Sequence, residues 1–177
     1  MTPHDARIAA PAPGELRDDV EELLPLIAPE GREPPRTMVV LARQPDLFGP
    51  FLNWAAALAL HGVLSHRDHE LLALRVASNC GSDFEWAEHT EYARGAGITD
   101  DEIAHVKGPL DGGAWTAHEL ALLRAADELG VDCDITEATW ACLADHYEPP
   151  ALVEILFVIG QYTMLSMVAN AAGIDAP

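Results

Sequence analysis

A chain of 177 residues, 49% of them hydrophobic, is long enough for one domain with a real core and has the composition of a folded globular protein. A formal charge of -19 excludes nucleic acid and anionic membrane surfaces as partners, because both are recognised through clustered Lys and Arg. The same charge slows the approach of a multiply charged anion, so the expected partner is a neutral or weakly charged small molecule.

Residues 1–34 read as a Pro- and Ala-rich arm carrying one short helix, Glu15 to Ile27, ended by Pro25 or Pro29. Pro29 to Pro35 is too rich in proline for a helix and reads as an extended connection. From residue 35 to 177 the pattern is helical, with no alternating period-two runs. Helices are predicted near 37–43, 45–61, 66–79, 83–96, 100–106, 117–129, 136–146 and 150–171. The start signals are Ser65 before Asp68, Ser82 before Glu85, Thr99 before Glu102 and Thr116 before Glu119, each a hydroxyl three residues ahead of an acid. Gly95, Gly97 and Gly130 are the expected stops. The fold class is all-α, a compact single-domain bundle of about eight helices.

The best membrane candidate, Leu152 to Met167, is broken by Glu154, Gly160, Gln161 and Tyr162, short of the roughly 18 apolar residues a span needs. No basic region precedes an apolar core near the N-terminus, so a cytoplasmic protein is expected. Nine of the ten basic residues are Arg, Lys107 being the exception, a bias that fits GC-rich bacterial coding. The three cysteines, Cys80, Cys133 and Cys142, form no CxxC and read as reduced thiols. His61, His66 and His69 are spaced so that they leave a helix in different directions, and no metal is expected from them.

The chemistry concentrates between Glu70 and His89. Glu85 and His89 are four residues apart and share a helix face, which Tyr92 continues. Glu70, one helix earlier, reaches the same space if the two helices pack across their short loop. A carboxylate beside an imidazole fixes its tautomer and raises its basicity, as proton transfer near neutral pH requires. The structural reading stands beside this one: Ser82 and Glu85 form a capping box, and His89 is a core histidine. Arg75, between Leu74 and Val76, is either a buried ion-pair partner or a clamp for a substrate carboxylate.

The run Glu70-Leu-Leu-Ala-Leu-Arg75, then Cys80-Gly-Ser-Asp-Phe-Glu-Trp-Ala-Glu-His89, then Ala93 to Ile103, resembles the core of the carboxymuconolactone decarboxylase and alkylhydroperoxidase D-like superfamily. The likeness extends through Ala126–Leu129, Thr139-Trp140 and Gly160–Tyr162, and covers most of the chain from about Pro35 onward. In the peroxidase branch a Glu, a CxxC and a His relay protons to a thiolate. Here the Glu and His positions are Glu70 and His89, while Ser82 and Glu85 stand where the cysteines would be. A dithiol cycle needs an attacking and a resolving thiol, and this chain has neither at those places.

The resemblance therefore implies a cofactor-free general acid–base lyase or isomerase, decarboxylase-like or cyclase-like, acting on a small carbonyl or lactone compound. Glu70, Glu85 and His89 are its catalytic residues, and Phe51, Trp54, Arg75, Ser82, Trp86, Tyr92 and Tyr162 line the substrate. The alternatives are a thiol peroxidase using Cys80, and a non-catalytic ligand-binding or scaffold protein. Members of such families assemble as dimers, trimers or hexamers, and Leu152 to Ala172 is the expected self-association surface.

Overall fold

The computed structural model describes residues 6–12, 14–28, 33–110 and 115–176. They contain nine α-helices and one 3-10 turn, with no strand among the described residues: α1 Asp18–Glu21, the 3-10 turn Leu24–Ile27, α2 Arg36–Leu41, α3 Pro45–His61, α4 His66–Asn79, α5 Asp83–Gly95, α6 Asp100–Val106, α7 Ala117–Asp132, α8 Glu137–Ala144 and α9 Pro149–Ala172. The all-α reading is right, and the helices expected from residue 37 onward are found with small shifts at their ends. The single helix expected over Glu15 to Ile27 is instead two short pieces. Pro25 has no N–H to continue an α-helix and sits in the first turn of the 3-10 element. Of the extended connection expected over Pro29 to Pro35, residues 29–32 lie outside the described residues.

The chain divides into two compact units. The first comprises the segments up to His61 together with Val168–Ile174. Its core is Val20, Ala42 and Phe48, with Leu16, Leu23, Met38, Leu41 and Leu52 packed around them. The second, Gly62–Met167 with Asp175–Pro177, holds a core of Leu71, Leu74, Ala93, Ile98, Ile103, Val106 and Leu123. Here α4 is central and packs against α5, α6 and α7. By length and composition α9 could cross a membrane, but Ile155, Val158, Ile159, Tyr162 and Leu165 on one side of it are buried in the protein. Val153, Leu156, Met164 and Met167 on the same helix are exposed.

Caps set the register of the second unit. Thr99 with Glu102 and Thr116 with Glu119 form full capping boxes, each hydroxyl accepting from the glutamate's N–H and each carboxylate accepting from the threonine's N–H at 2.8 Å. Both glutamates then accept from Arg67 on α4, Glu102 at 2.5 Å and Glu119 at 2.7 Å, so one guanidinium ties the starts of α6 and α7 to α4. At the end of α5, Gly97 takes φ +83° while the Ile98 N–H bonds the Ala93 carbonyl and the Gly97 N–H bonds Arg94, a Schellman closure with Ile98 buried behind it. Gly130 does not end α7 as expected. Glu128 accepts from the N–H of Thr136 and from the hydroxyls of Thr136 and Thr139, which anchors the start of α8 and moves the turn to Cys133 at φ +56°.

Arg75 holds this unit together. Its guanidinium donates to both oxygens of Asp127 at 2.6 and 2.7 Å, and to the carbonyls of Val106 and Gly108 at 2.6 and 2.9 Å. It joins α4 to α7 and to the end of α6. Arg75→Leu is expected to lower the unfolding free energy by about 3 kcal/mol, because two carbonyls and a carboxylate lose their donors at once. Arg75→Lys should recover only part, since an ammonium lacks the fork. Urea denaturation of the three proteins measures both effects.

Candidate active site

The site begins at the turn between α4 and α5. Gly81 adopts φ +59°, and the Ser82 N–H closes back on the Ala77 carbonyl at 2.9 Å while the Gly81 N–H bonds Ser78. Ser82 thus ends one helix through its N–H and starts the next through its hydroxyl, which accepts from the Glu85 N–H at 3.4 Å. The capping box expected of Ser82 and Glu85 does not form. The N–H that the Glu85 carboxylate would have to reach is already bonded, so the side chain turns into the protein instead.

There it meets His89. Glu85 is 3% exposed and His89 8%. His89 Nδ1 lies 2.7 Å from Glu70 Oε2, a hydrogen bond between α4 and α5, and His89 Nε2 lies 3.8 Å from Glu85 Oε2. The other Glu85 oxygen, Oε1, is buried with no hydrogen-bond partner. Tyr162 from α9, 6% exposed, stands edge-on against the His89 ring with centroids 4.4 Å apart, and Tyr92 lies 5.5 Å away. The Tyr162 hydroxyl is 2.8 Å from Nε2 of His69.

Burial and charge push the protons of these groups in definite directions. Burial pulls His89 down, but the hydrogen bond and charge of Glu70, with the charges of Glu85 and Glu88, outweigh it and leave the imidazole above its ordinary value. Burial raises Glu85, against a smaller lowering by His89. Burial also lowers His69, and drives Tyr162 well above the ordinary phenol, so its hydroxyl keeps its proton. Glu85 and His89 thus lie side by side in a buried place, each holding its proton to a higher pH than usual.

The structure brings Glu70, Glu85, His89, Tyr92 and Tyr162 together, with Ser82 beneath them as the double cap. Arg75 is committed to Asp127 and two carbonyls, which makes it a tie of the fold and not a clamp for a substrate carboxylate. Trp86 packs on the core of the second unit with Lys107 Nζ 4.0 Å over its ring. Phe51 and Trp54 belong to α3 of the first unit. Cys80 caps the end of α4, half-buried, with its thiol pushed up by burial. Two residues outside the sequence-derived set belong to the site. His69 heads a stripe continued by the buried Leu72, Ala73 and Val76, a helical spacing that marks it as inward. Glu88 is buried and adds its charge to His89.

Residues 45–128, which contain Glu70, Glu85 and His89, match the carboxymuconolactone decarboxylase family. The similarity to that family is confined to this stretch of the chain. Three solved structures share the fold. An uncharacterised peroxidase-related protein from Silicibacter is 17% identical with a TM-score of 0.83, over 100% of this chain and 93% of that one. An alkylhydroperoxidase AhpD core protein from Ralstonia eutropha is 18% identical with a TM-score of 0.84, over 97% of this chain and 92% of that one. The debrominase Bmp8, as a cysteine-to-alanine variant in complex with 2,3,4-tribromopyrrole, is 15% identical with a TM-score of 0.80, over 98% of this chain and 93% of that one. No curated protein sequence matches this chain significantly. The chain thus shares an alkylhydroperoxidase D-like all-α fold with these proteins.

His89 is expected to titrate above about 6.5, the value of a free imidazole, and to fall in Glu70→Gln, as followed by NMR of the ring protons. The folded pKa lies above the unfolded one, so the Glu70 bond contributes fully below about 6.5 and its contribution is lost as pH rises through the folded value. The stability gap between wild type and Glu70→Gln should therefore shrink as pH is raised from 6 through the His89 midpoint.

Proposed function

We propose that the protein is a cofactor-independent general acid–base enzyme, a lyase or isomerase acting on a small carbonyl or lactone compound. The observation that carries this reading is His89 set between two carboxyl groups. One nitrogen is tied to Glu70, and the other faces Glu85, whose proton is held above the usual carboxylate range. With Nδ1–H donated to Glu70, the Nε2 lone pair takes a proton from the carbon beside a carbonyl. Glu85 in its acid form gives a proton to the carbonyl oxygen, and the electron pair of the broken C–H bond becomes the enol double bond. Return of the proton from His89 to a different carbon, with the enol O–H proton going back to Glu85, restores the carbonyl and completes an isomerisation. In a decarboxylation the C–C bond breaks instead, carbon dioxide leaves with the enol behind, and His89 in its imidazolium form protonates the carbon.

The thiol chemistry of the redox branch has less support. Cys80 is the nearest cysteine in sequence to this site, and burial raises its thiol where a peroxidase needs a thiolate. Mild peroxide followed by mass spectrometry should leave Cys80 unmodified in the folded protein, whereas a sulfenic acid or its descendants at Cys80 would favour the peroxidase.

The acid–base reading is tested by solvent exchange. Small β-keto acids, ketones and unsaturated lactones are incubated with the protein in deuterium oxide and followed by proton NMR. Deuterium should enter the carbon beside the carbonyl of at least one compound. His89→Ala and Glu70→Gln should each slow that exchange by roughly 10²- to 10⁴-fold with the circular dichroism unchanged. Wild-type exchange in both variants contradicts the assignment.

A further inference from the structure

The strongest unassigned feature is the chain of three aromatic rings that runs from α4 to α5 by way of α9. His69 Nε2 meets the Tyr162 hydroxyl at 2.8 Å, with the two rings edge to face at 5.5 Å and 87°. The Tyr162 ring then meets His89 edge to face, at 4.4 Å and 76°. His69 and Glu70 are neighbours on α4 and leave the helix about 100° apart. One of them holds His89 directly through Nδ1. The other holds the ring that closes on the same imidazole from another element.

From this geometry we infer that His69 is a positioning residue for His89, acting through its hydrogen bond to Tyr162. An imidazole rotates about two side-chain bonds, and the single Nδ1 bond to Glu70 fixes only one direction of it. The Tyr162 ring, packed edge to face with the imidazole, blocks the remaining swing, and Tyr162 can do so only while its own ring is fixed. A tyrosine on a helix is fixed at its far end by whatever bonds its hydroxyl, and that partner is His69.

The protonation states suit the task. Tyr162 stays a hydroxyl and donates, while burial keeps His69 neutral with a free acceptor nitrogen. His69 also feels the charges of Glu70, His89, Glu154 and His66. Glu154, which accepts from the Val63 and Leu64 N–H groups at 2.5 and 3.3 Å, raises it, and His89 lowers it. Protonation of His69 would remove the acceptor that Tyr162 needs and place a second cation beside His89. The two histidines therefore divide the work, one carrying the proton and one holding the clamp.

The inference rests on the reading of His89 as the proton carrier, but its test uses no turnover. The His89 titration midpoint is read by NMR in wild type, His69→Ala, His69→Gln and Tyr162→Phe, with circular dichroism as the check on folding. A loosened His89 spends less time on Glu70, so the bond that raises its midpoint is weakened. His69→Ala and Tyr162→Phe should each lower the midpoint, with the Glu70-bonded population falling by about tenfold, the size of one net hydrogen bond. His69→Gln, whose amide can still accept from Tyr162, should stay near wild type. Deleting a nearby side chain has the opposite direct effect, since it lets water in and relieves the burial that lowers His89. A midpoint that is unchanged or higher in His69→Ala, an unchanged one in Tyr162→Phe, or a His69→Gln as low as the alanine variant overturns the assignment. The tyrosine variant keeps the ring and the packing, so it reports even where His69→Ala fails to fold. Loss of deuterium exchange in His89→Ala with no midpoint change in these variants would remove the positioning role and leave the acid–base function standing.

Discussion

The hydrogen bond between Glu70 and His89 is the interaction on which the arrangement of the site depends. An imidazole carried into a place that is 8% exposed loses its hydration, and without a partner it would simply shed its proton. Glu70 reverses that outcome at 2.7 Å and does so from a different helix. The bond can form only if α4 and α5 approach closely in one register. The three-residue turn, the positive φ of Gly81 and the double use of Ser82 all serve that register. Arg67 and Arg75 hold α4 through Glu102, Glu119 and Asp127. The scaffold is a set of ion pairs and caps that fixes α4, so that α4 can fix one histidine.

The absence of the dithiol gains a physical meaning from the turn. Ser82 serves as a cap at both ends, a task for a hydroxyl and a backbone N–H rather than for a thiolate. Glu85 is released from capping and becomes a buried carboxyl group facing Nε2. What the peroxidase branch places here for electron transfer is replaced by groups that hold protons. Glu70 and His89 meet beside them at 2.7 Å.

The helices were legible because local signals set them: hydroxyl caps, acids in first turns, and apolar spacing of three and four. Glu70, Glu85 and His89 were legible because their spacing puts them on facing helices. The capping box at Ser82 was misread because the sequence motif does not say whether the capping N–H is free, and a Schellman closure from the preceding helix had taken it. Arg75 was open between two roles until Asp127 was placed beside it, some 52 residues along the chain. His69 was read only alongside His61 and His66, because its partner, Tyr162, lies 93 residues away and no local pattern joins them. Pairings of that range are fixed by tertiary packing alone.

The central claim is that one buried site holds an acid and a base, both with protons retained to higher pH than usual. Infrared spectroscopy of the carboxyl C=O stretch, followed as a function of pH, measures the acid directly. The band that is lost in Glu85→Gln should titrate above about 4.3, the ordinary glutamate value. A Glu85 band that titrates at or below that value contradicts the account, because a carboxyl group already ionised there has no proton to give at neutral pH.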